Sequence, residues 1–276
     1  MRLAGILILS FLFGACTTKV PIPTTGLQLW LKGDAGVVLN GKTVARWEDQ
    51  SGHGNDAIQS DSLRQPHFIR EALNGLPVLR FDGADDRLAL TGSSLISEVS
   101  LFVVIKVDSG ATGPNPSCPL TFGDQSFEGR CLSVILGPER VRGVLYPPGV
   151  MGIGSGRLEQ EWVFVAAPDS EVVGHWLNIN VMIRRTLWST SVHINGDGLP
   201  LMRRLVNMSI DFPLGNSNAS GVGGIGGADN VQMPPGNMDR LVAKCDVAEL
   251  LLYNTVLPDS TRSRVQRYLA AKYQIP

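Results

Sequence analysis

Ser100-Leu101-Phe102-Val103-Val104-Ile105-Lys106-Val107 is an almost unbroken apolar run, half of it β-branched. Such a run reads as a strand covered on both faces. Around it lie shorter apolar segments: 27–31 (LQLWL), which alternates until its last step, Thr43–Trp47, and 77–81 (PVLRF). These are bounded by Gly, Asp or Asn, as strands are. Further candidates are Cys131–Leu136, 141–146, Trp162–Ala166, 176–183, 189–194, 199–206 and 247–253. Asn195-Gly196 is a two-residue hairpin signal, because both turn positions favour positive φ. About ten strands, roughly 8–15 residues apart with no helix between them, predict a sandwich of two antiparallel sheets. The exception is the C-terminus, where Val265, Tyr268, Leu269 and Lys272 recur at helical spacing. Asp259 or Ser260 can cap that helix, and Lys272 suits its C-terminal dipole. No repeat or internal linker interrupts 26–276, which reads as one domain.

The composition agrees. Glycine (31) and proline (17) make up about 17% of the 276 residues, above the roughly 12% of average usage. At 43% hydrophobic the chain still has enough apolar residues for a large core. The 24 Lys and Arg nearly balance the 25 Asp and Glu, so neither a polybasic nucleic-acid binder nor an acidic tail protein is indicated.

Residues 1–15 combine Arg2, an apolar run from Leu3 to Phe13 and small residues at its end, the parts of a secretory signal. Leu12-Phe13-Gly14-Ala15-Cys16 resembles the lipobox of bacterial lipoproteins, which implies acylation of Cys16; Phe13 departs from the Leu that family prefers. The alternative is an ordinary signal peptide with an incidental cysteine. Thr17 resembles the residue of lipoproteins sent to an outer membrane, and 16–25, with two prolines and little to bury, reads as a lipidated cysteine and its tether. Cys118, Cys131 and Cys245 then remain, allowing at most one disulfide. Cys118–Cys131 is the nearest pair in sequence, but a hairpin turning near 125–126 sets Thr121, rather than Cys118, opposite Cys131.

Three segments together resemble the laminin-G-like, concanavalin-A-like jelly-roll domains of bacterial surface proteins. They are 29–37 (LWLKGDAGV) with 47–57 (WEDQSGHGNDA), 72–88 (ALNGLPVLRFDGADDRL), and 246–260 (DVAELLLYNTVLPDS) running into 262–273 (RSRVQRYLAAKY). The resemblance holds at the two ends of the chain and is weak between about 108 and 245. It implies an all-β, two-sheet antiparallel jelly-roll sandwich with one C-terminal helix packed on it, and a framework role for Glu249. Some relatives bind calcium at a rim. Asp49, Asn55 and Asp56, or Asp82, Asp85 and Asp86, offer oxygen ligands of suitable hardness, the competing reading being that these residues are turn formers in water.

Two glycine motifs fail on context. Residues 36–43 (GVVLNGKT) spell a phosphate-binding loop, yet the following segment reads as a strand rather than the helix such a loop needs. Gly221, Gly223 and Gly226 are likewise followed by no helix, so no nucleotide is expected. Jelly-roll glycanases carry Glu-x-Asp-x-Glu, because alternation aims all three acids into the cleft. No such triple occurs, and the spacing of Asp246 and Glu249 predicts opposite strand faces. His53, His67, His175 and His193 form no metal-ligand pattern, and no Gly-x-Ser-x-Gly elbow is present.

The sequence therefore predicts a non-catalytic recognition module, exported and lipid-anchored to the cell envelope (the outer membrane in a Gram-negative host). Its partners would be the membrane, through the anchor, and a glycan or surface protein. Trp176 and Trp188 are the candidate sugar-facing aromatics, with burial in the core as their competing role. The alternatives are a polysaccharide hydrolase or lyase with dispersed carboxylates, and a structural envelope component. Two facing acids within about 5–10 Å of each other would overturn the non-catalytic reading.

Overall fold

The computed structural model describes residues 21–92, 94–108, 117–123, 131–136, 139–141, 144–146, 150–155, 162–166, 174–185, 189–199, 201–204, 212–214, 224–229 and 240–276. These form antiparallel strands and one α-helix, Asp259–Tyr273, with a single 3-10 turn at Ser62–Arg64. A central run of strands is ordered Leu27–Lys32, Lys244–Tyr253, Glu98–Val107, Trp176–Arg184, Ser191–Ile194 and Asp197–Leu199. Leu76–Asp82 adds to it beside the first residues of Lys244–Tyr253.

A second run begins at the hairpin Val37–Asn40 and Thr43–Trp47 and continues through Ala57–Ile58, Leu88–Leu90, Gly224–Ile225 and Ser117–Gly123. The strands Cys131–Leu136, Val150–Ser155, Trp162–Ala166 and Leu201–Arg204 extend it. Residues 36–43, the phosphate-loop look-alike, thus belong to a β-hairpin. The two predicted sheets are joined: His67–Leu73 pairs with Leu76–Asp82 and meets Thr43 at His67, so hydrogen bonds connect 18 strands into one antiparallel sheet.

Why the run at 100–107 is apolar throughout is now plain. Val99, Leu101, Val103, Ile105 and Val107 point into a cluster shared with Val44, Trp47, Leu88, Leu90, Leu120 and Phe122 of the second run. Phe102 and Val104 point the other way, into a cluster completed by Val265, Leu269 and Tyr273 of the helix. A strand with a layer on each face can spare few polar positions. The turns follow the sequence. Asn195 (φ 52°) and Gly196 (φ 91°) close the hairpin in which Ile194 faces Asp197, and Asn74 (φ 50°) and Gly75 (φ 80°) close that of Leu73 and Leu76.

The helix departs from expectation at its start. Pro258 is the N-cap, no side chain caps the first turn, and Asp259 lies inside it, 3.4 Å from Arg262. Proline supplies the extended entry without needing an N–H partner, and Asp259 still meets the positive end of the helix dipole. At the other end Gln274 adopts the left-handed conformation and its N–H bonds the Ala270 carbonyl.

One buried carboxylate fixes this helix to the sheet. Glu249 is fully buried. Its Oε1 accepts hydrogen bonds from Trp30 Nε1 (2.6 Å) and the Tyr268 hydroxyl (2.9 Å). Its Oε2 accepts from Lys272 Nζ (2.7 Å) and the Tyr273 hydroxyl (2.8 Å). Burial and the Glu249 charge push both phenols well above the usual tyrosine range, so both remain donors. Four donors satisfy the four lone-pair sites of one carboxylate, which offsets the cost of desolvating it. Glu249→Ala removes the shared acceptor and is expected to cost about 3–5 kcal/mol of folding free energy, with Tyr268→Phe costing about 1.5–3 kcal/mol, both read by urea denaturation.

Candidate binding face

Lys244–Tyr253 carries a bulge that decides which side chains reach the helix-side face. Val247 pairs with Ile105 and Glu249 with Val104, so two residues of one strand oppose one of the other. Alternation alone would send Asp246 and Glu249 to opposite faces; the extra residue at Ala248 brings both to the helix side, correcting the expectation from spacing. There they have different surroundings. Glu249 lies under the helix, saturated by its four donors, while Asp246 lies beyond the helix within a row of charged side chains.

That row crosses four strands in register: Arg80, Asp246, Lys106 and Trp176. Arg80 grips Asp246 with both ends of its guanidinium, Nε to Oδ1 at 2.7 Å and Nη2 to Oδ2 at 2.8 Å. This bonding raises the Arg80 pKa further above its ordinary value. Lys106 Nζ stands 3.5 Å from Asp246 Oδ2, 4.0 Å from Asp108 and 5.7 Å from the centroid of the Trp176 ring. The Asp246 side chain is 3% exposed but that of Arg80 is 46% exposed, so the row is anchored from beneath and open above. Trp176 is half-buried, one side against the helix-side cluster. Sequence reading named Trp176 and missed its neighbours, since only register shows that residues 80, 246, 106 and 176 are adjacent.

The predicted calcium residues separate into two loops. In the first, Asp49 is already engaged. Its Oδ1 accepts from the Trp30 and Ser51 amides at 2.9 Å, and its Oδ2 from Ser51 Oγ (2.6 Å) and the Asn55 amide (3.1 Å). Asp56 Oδ1 accepts from the Asp49 amide, and Asn55 Nδ2 donates to the Gln28 carbonyl at 2.7 Å. The loop thereby covers the outer edge of Leu27–Lys32, where unpaired strand groups would otherwise face solvent. In the second loop, carboxylate oxygens of Asp82, Asp85 and Asp86 lie within 4.8 Å of one another. Three hard oxygen donors so close suit a calcium ion in number and type. Asp82 Oδ1 also receives the amides of Ala84, Asp85 and Asp86, the local bonding of a turn. Burial, and next the Asp82 charge, push Asp86 up to about 6.

Cys16 and Trp188 lie outside the described residues, as do the side chains of Cys118 and Cys131. The backbone register sets Gly123, not the expected Thr121, opposite Cys131, because the hairpin turns about one residue later than 125–126; Thr121 faces Ser133 and Ser117 faces Leu136. Cys245 is buried.

No protein-family profile matches the chain, and no curated protein is similar to it. Its likeness is to solved structures. The receptor binding domain of botulinum neurotoxin D is matched over 92% of this chain and 56% of that one, at 11% identity and a TM-score of 0.54. The botulinum neurotoxin serotype D binding domain is matched over 88% and 51%, at 12% identity and 0.50. Trypanosoma rangeli sialidase in complex with sialic acid is matched over 91% and 34%, at 16% identity and 0.47. The chain thus spans about a third of the sialidase and about half of the toxin domain. What the two toxin domains share with it is an all-β sheet fold. The likenesses also correct the expectation that the chain is not an enzyme. The matched structures include a catalytic protein, the T. rangeli sialidase captured as a covalent intermediate with 2,3-difluorosialic acid.

Asp86 makes stability depend on pH in an unusual direction. A carboxyl whose native pKa is raised binds its proton more tightly folded than unfolded. Its stabilising contribution is thus present below pH 3.8, its unperturbed value, and is lost as pH rises through about 6. Asp86→Asn keeps an acceptor for the Asp82 amide without the charge. Its melting temperature is expected to exceed that of the parent above pH 6 and to converge with it below pH 4, in calcium-free buffer.

Proposed function

We propose that the chain is a carbohydrate-directed jelly-roll domain of the laminin-G-like, concanavalin-A-like type, with the row Arg80, Asp246, Lys106 and Trp176 as its glycan-facing surface. The observation that carries this reading is the half-buried Trp176 ring beside Lys106 and the two-pronged Arg80–Asp246 pair on an open sheet face. A sugar ring has an apolar C–H face and a fringe of hydroxyls. An indole suits the first, and planar guanidinium and carboxylate groups suit the second. Two strand runs sharing one core support the sandwich. The likeness to a toxin's receptor binding domain supports the recognition role. Glycan-array binding is expected, and Trp176→Ala is expected to weaken it roughly tenfold or more, the loss of one aromatic stacking contact and its buried area. Unchanged binding by that variant would remove the row from the site.

A second reading, a polysaccharide hydrolase or lyase, is favoured by Asp82, Asp85 and Asp86. A carboxyl raised toward neutrality beside other carboxylates is the usual general acid of glycoside cleavage, and Asp86 is pushed up to about 6. Release of reducing ends or unsaturated products from polysaccharides, abolished by Asp86→Asn, would support it. A surface-protein partner would instead appear as a stable complex on pull-down with no glycan binding.

Residues 1–15 are proposed to direct export and Cys16 to carry the lipid, with 17–20 as the tether; the expected tether 16–25 is shortened because Ile22 packs against the helix-side cluster and the Pro21 and Pro23 carbonyls accept hydrogen bonds from Arg264 and Tyr253. The signal-like pattern and the lipobox resemblance support this. Palmitate labelling is expected in the native bacterial host and should be lost in Cys16→Ala, along with membrane fractionation.

A further inference from the structure

Beneath the N-terminal half of the helix, four buried polar atoms lack a hydrogen-bond partner: Asn178 Oδ1, Asn180 Oδ1, His193 Nδ1 and Gln266 Nε2. They belong to one patch. Asn178 and Asn180 alternate along Trp176–Arg184 and so share its helix-side face. His193 is the cross-strand partner of Asn180. Gln266, on the helix, receives Asn178 Nδ2 at its carbonyl (3.4 Å). Asn178, Asn180 and Gln266 are 1%, 0% and 8% exposed. An orphaned buried polar atom costs about 1–3 kcal/mol, and folded proteins keep few of them. Four on neighbouring residues of one sheet face and of the helix above it point to a common partner.

The orientation of each amide is fixed by its other end. Asn180 Nδ2 donates to the Leu101 carbonyl (3.0 Å), so its free atom is the oxygen. Asn178 is oriented in the same way by the Gln266 carbonyl. Arg262 Nη1 donates to Gln266 Oε1 (2.9 Å), which leaves Nε2 as a free donor. Burial, and next the Arg262 charge, hold His193 below the usual histidine range, favouring the neutral ring. With the ring proton on Nε2, His193 Nδ1 is an acceptor, and the patch then offers three acceptors and one donor.

We propose that this patch is a binding site for the hydroxyl-bearing edge of a small neutral polyol or a single sugar ring, held by Asn178, Asn180, His193 and Gln266. Hydroxyls both donate to the three acceptors and accept from Gln266. A cation would lie against Arg262, and an anion would face three acceptors. The four atoms are themselves closed to solvent, so entry requires the hairpin edge to open. His193 is half-buried, and its partner across that edge is Gly198, which has no side chain to cover the imidazole. The site does not draw on the reading of the Trp176 row.

The test is titration calorimetry and thermal shift on the full chain with glucose, galactose, N-acetylglucosamine, myo-inositol and glycerol, with acetate and tetramethylammonium as charged controls. At least one neutral probe should bind saturably at one site and raise the melting temperature, while the charged probes do neither. Asn180→Leu should weaken that binding roughly tenfold or more, as loss of a buried hydrogen-bonding partner does. Gly198→Val is a second variant that retains the fold, since a Cβ there stands 3.5 Å from His193 Cδ2, an ordinary contact. It narrows the entry and should also weaken binding. Absence of saturable binding by every neutral probe, or binding that survives Gly198→Val at full strength, would overturn the site.

Discussion

The carboxylate of Glu249 is the point at which the two ends of this chain are joined. It receives the indole of Trp30 from the first strand and the ammonium and two phenols of Lys272, Tyr268 and Tyr273 from the last helix. In a region otherwise lined by apolar side chains, an ion with fewer partners would be costly. The apolar helix positions Val265, Leu269 and Tyr273 supply non-directional burial, but burial alone would tolerate a helix slid or turned along the sheet. Four hydrogen bonds converging on two oxygens do not tolerate it. This is a specificity argument as much as a stability one.

The bulge at 247–249 is what allows that arrangement to coexist with the open charged row. Without the extra residue, either Asp246 or Glu249 would face the apolar core between the two strand runs, with no counter-charge there. With it, both acids reach the helix-side face and each finds its own cations. Where the helix covers the sheet, the face is closed around Glu249. Where the helix has ended, the same face is open, and Arg80, Asp246, Lys106 and Trp176 stand along it. The patch of orphaned amides adjoins that row, since Asn178 follows Trp176 on the same face of one strand and, with Asn180, passes under the helix toward the edge hairpin.

Much of the fold was legible because it rests on local periodicity. The doubly buried run at 100–107, the Asn195-Gly196 turn and the amphipathic C-terminal segment each obey a rule confined to a few neighbouring residues. The helix cap was misread because Pro258 supplied by its fixed φ what Asp259 or Ser260 would have supplied by a side chain. The Asp49 loop was legible as turn chemistry, but its covering of the strand at Trp30 was not, because that partner lies 19 residues away. The missing acid triple was a true observation about strand alternation, yet it could not decide catalysis. Asp82, Asp85 and Asp86 converge through a turn, and turns do not alternate.

By itself the sequence determined an antiparallel β domain closed by one helix, since strand and helix periods, turn residues and an apolar strand of even burial are all written along the chain. Tertiary structure alone decided which charges meet. Arg80 and Asp246 are 166 residues apart in sequence, and Trp30 and Glu249 are 219 apart. Their contact depends on strand register, which one bulged residue shifts for every side chain beyond it. Local spacing carries no record of such a shift, because a bulge is selected by the packing of the two faces it separates.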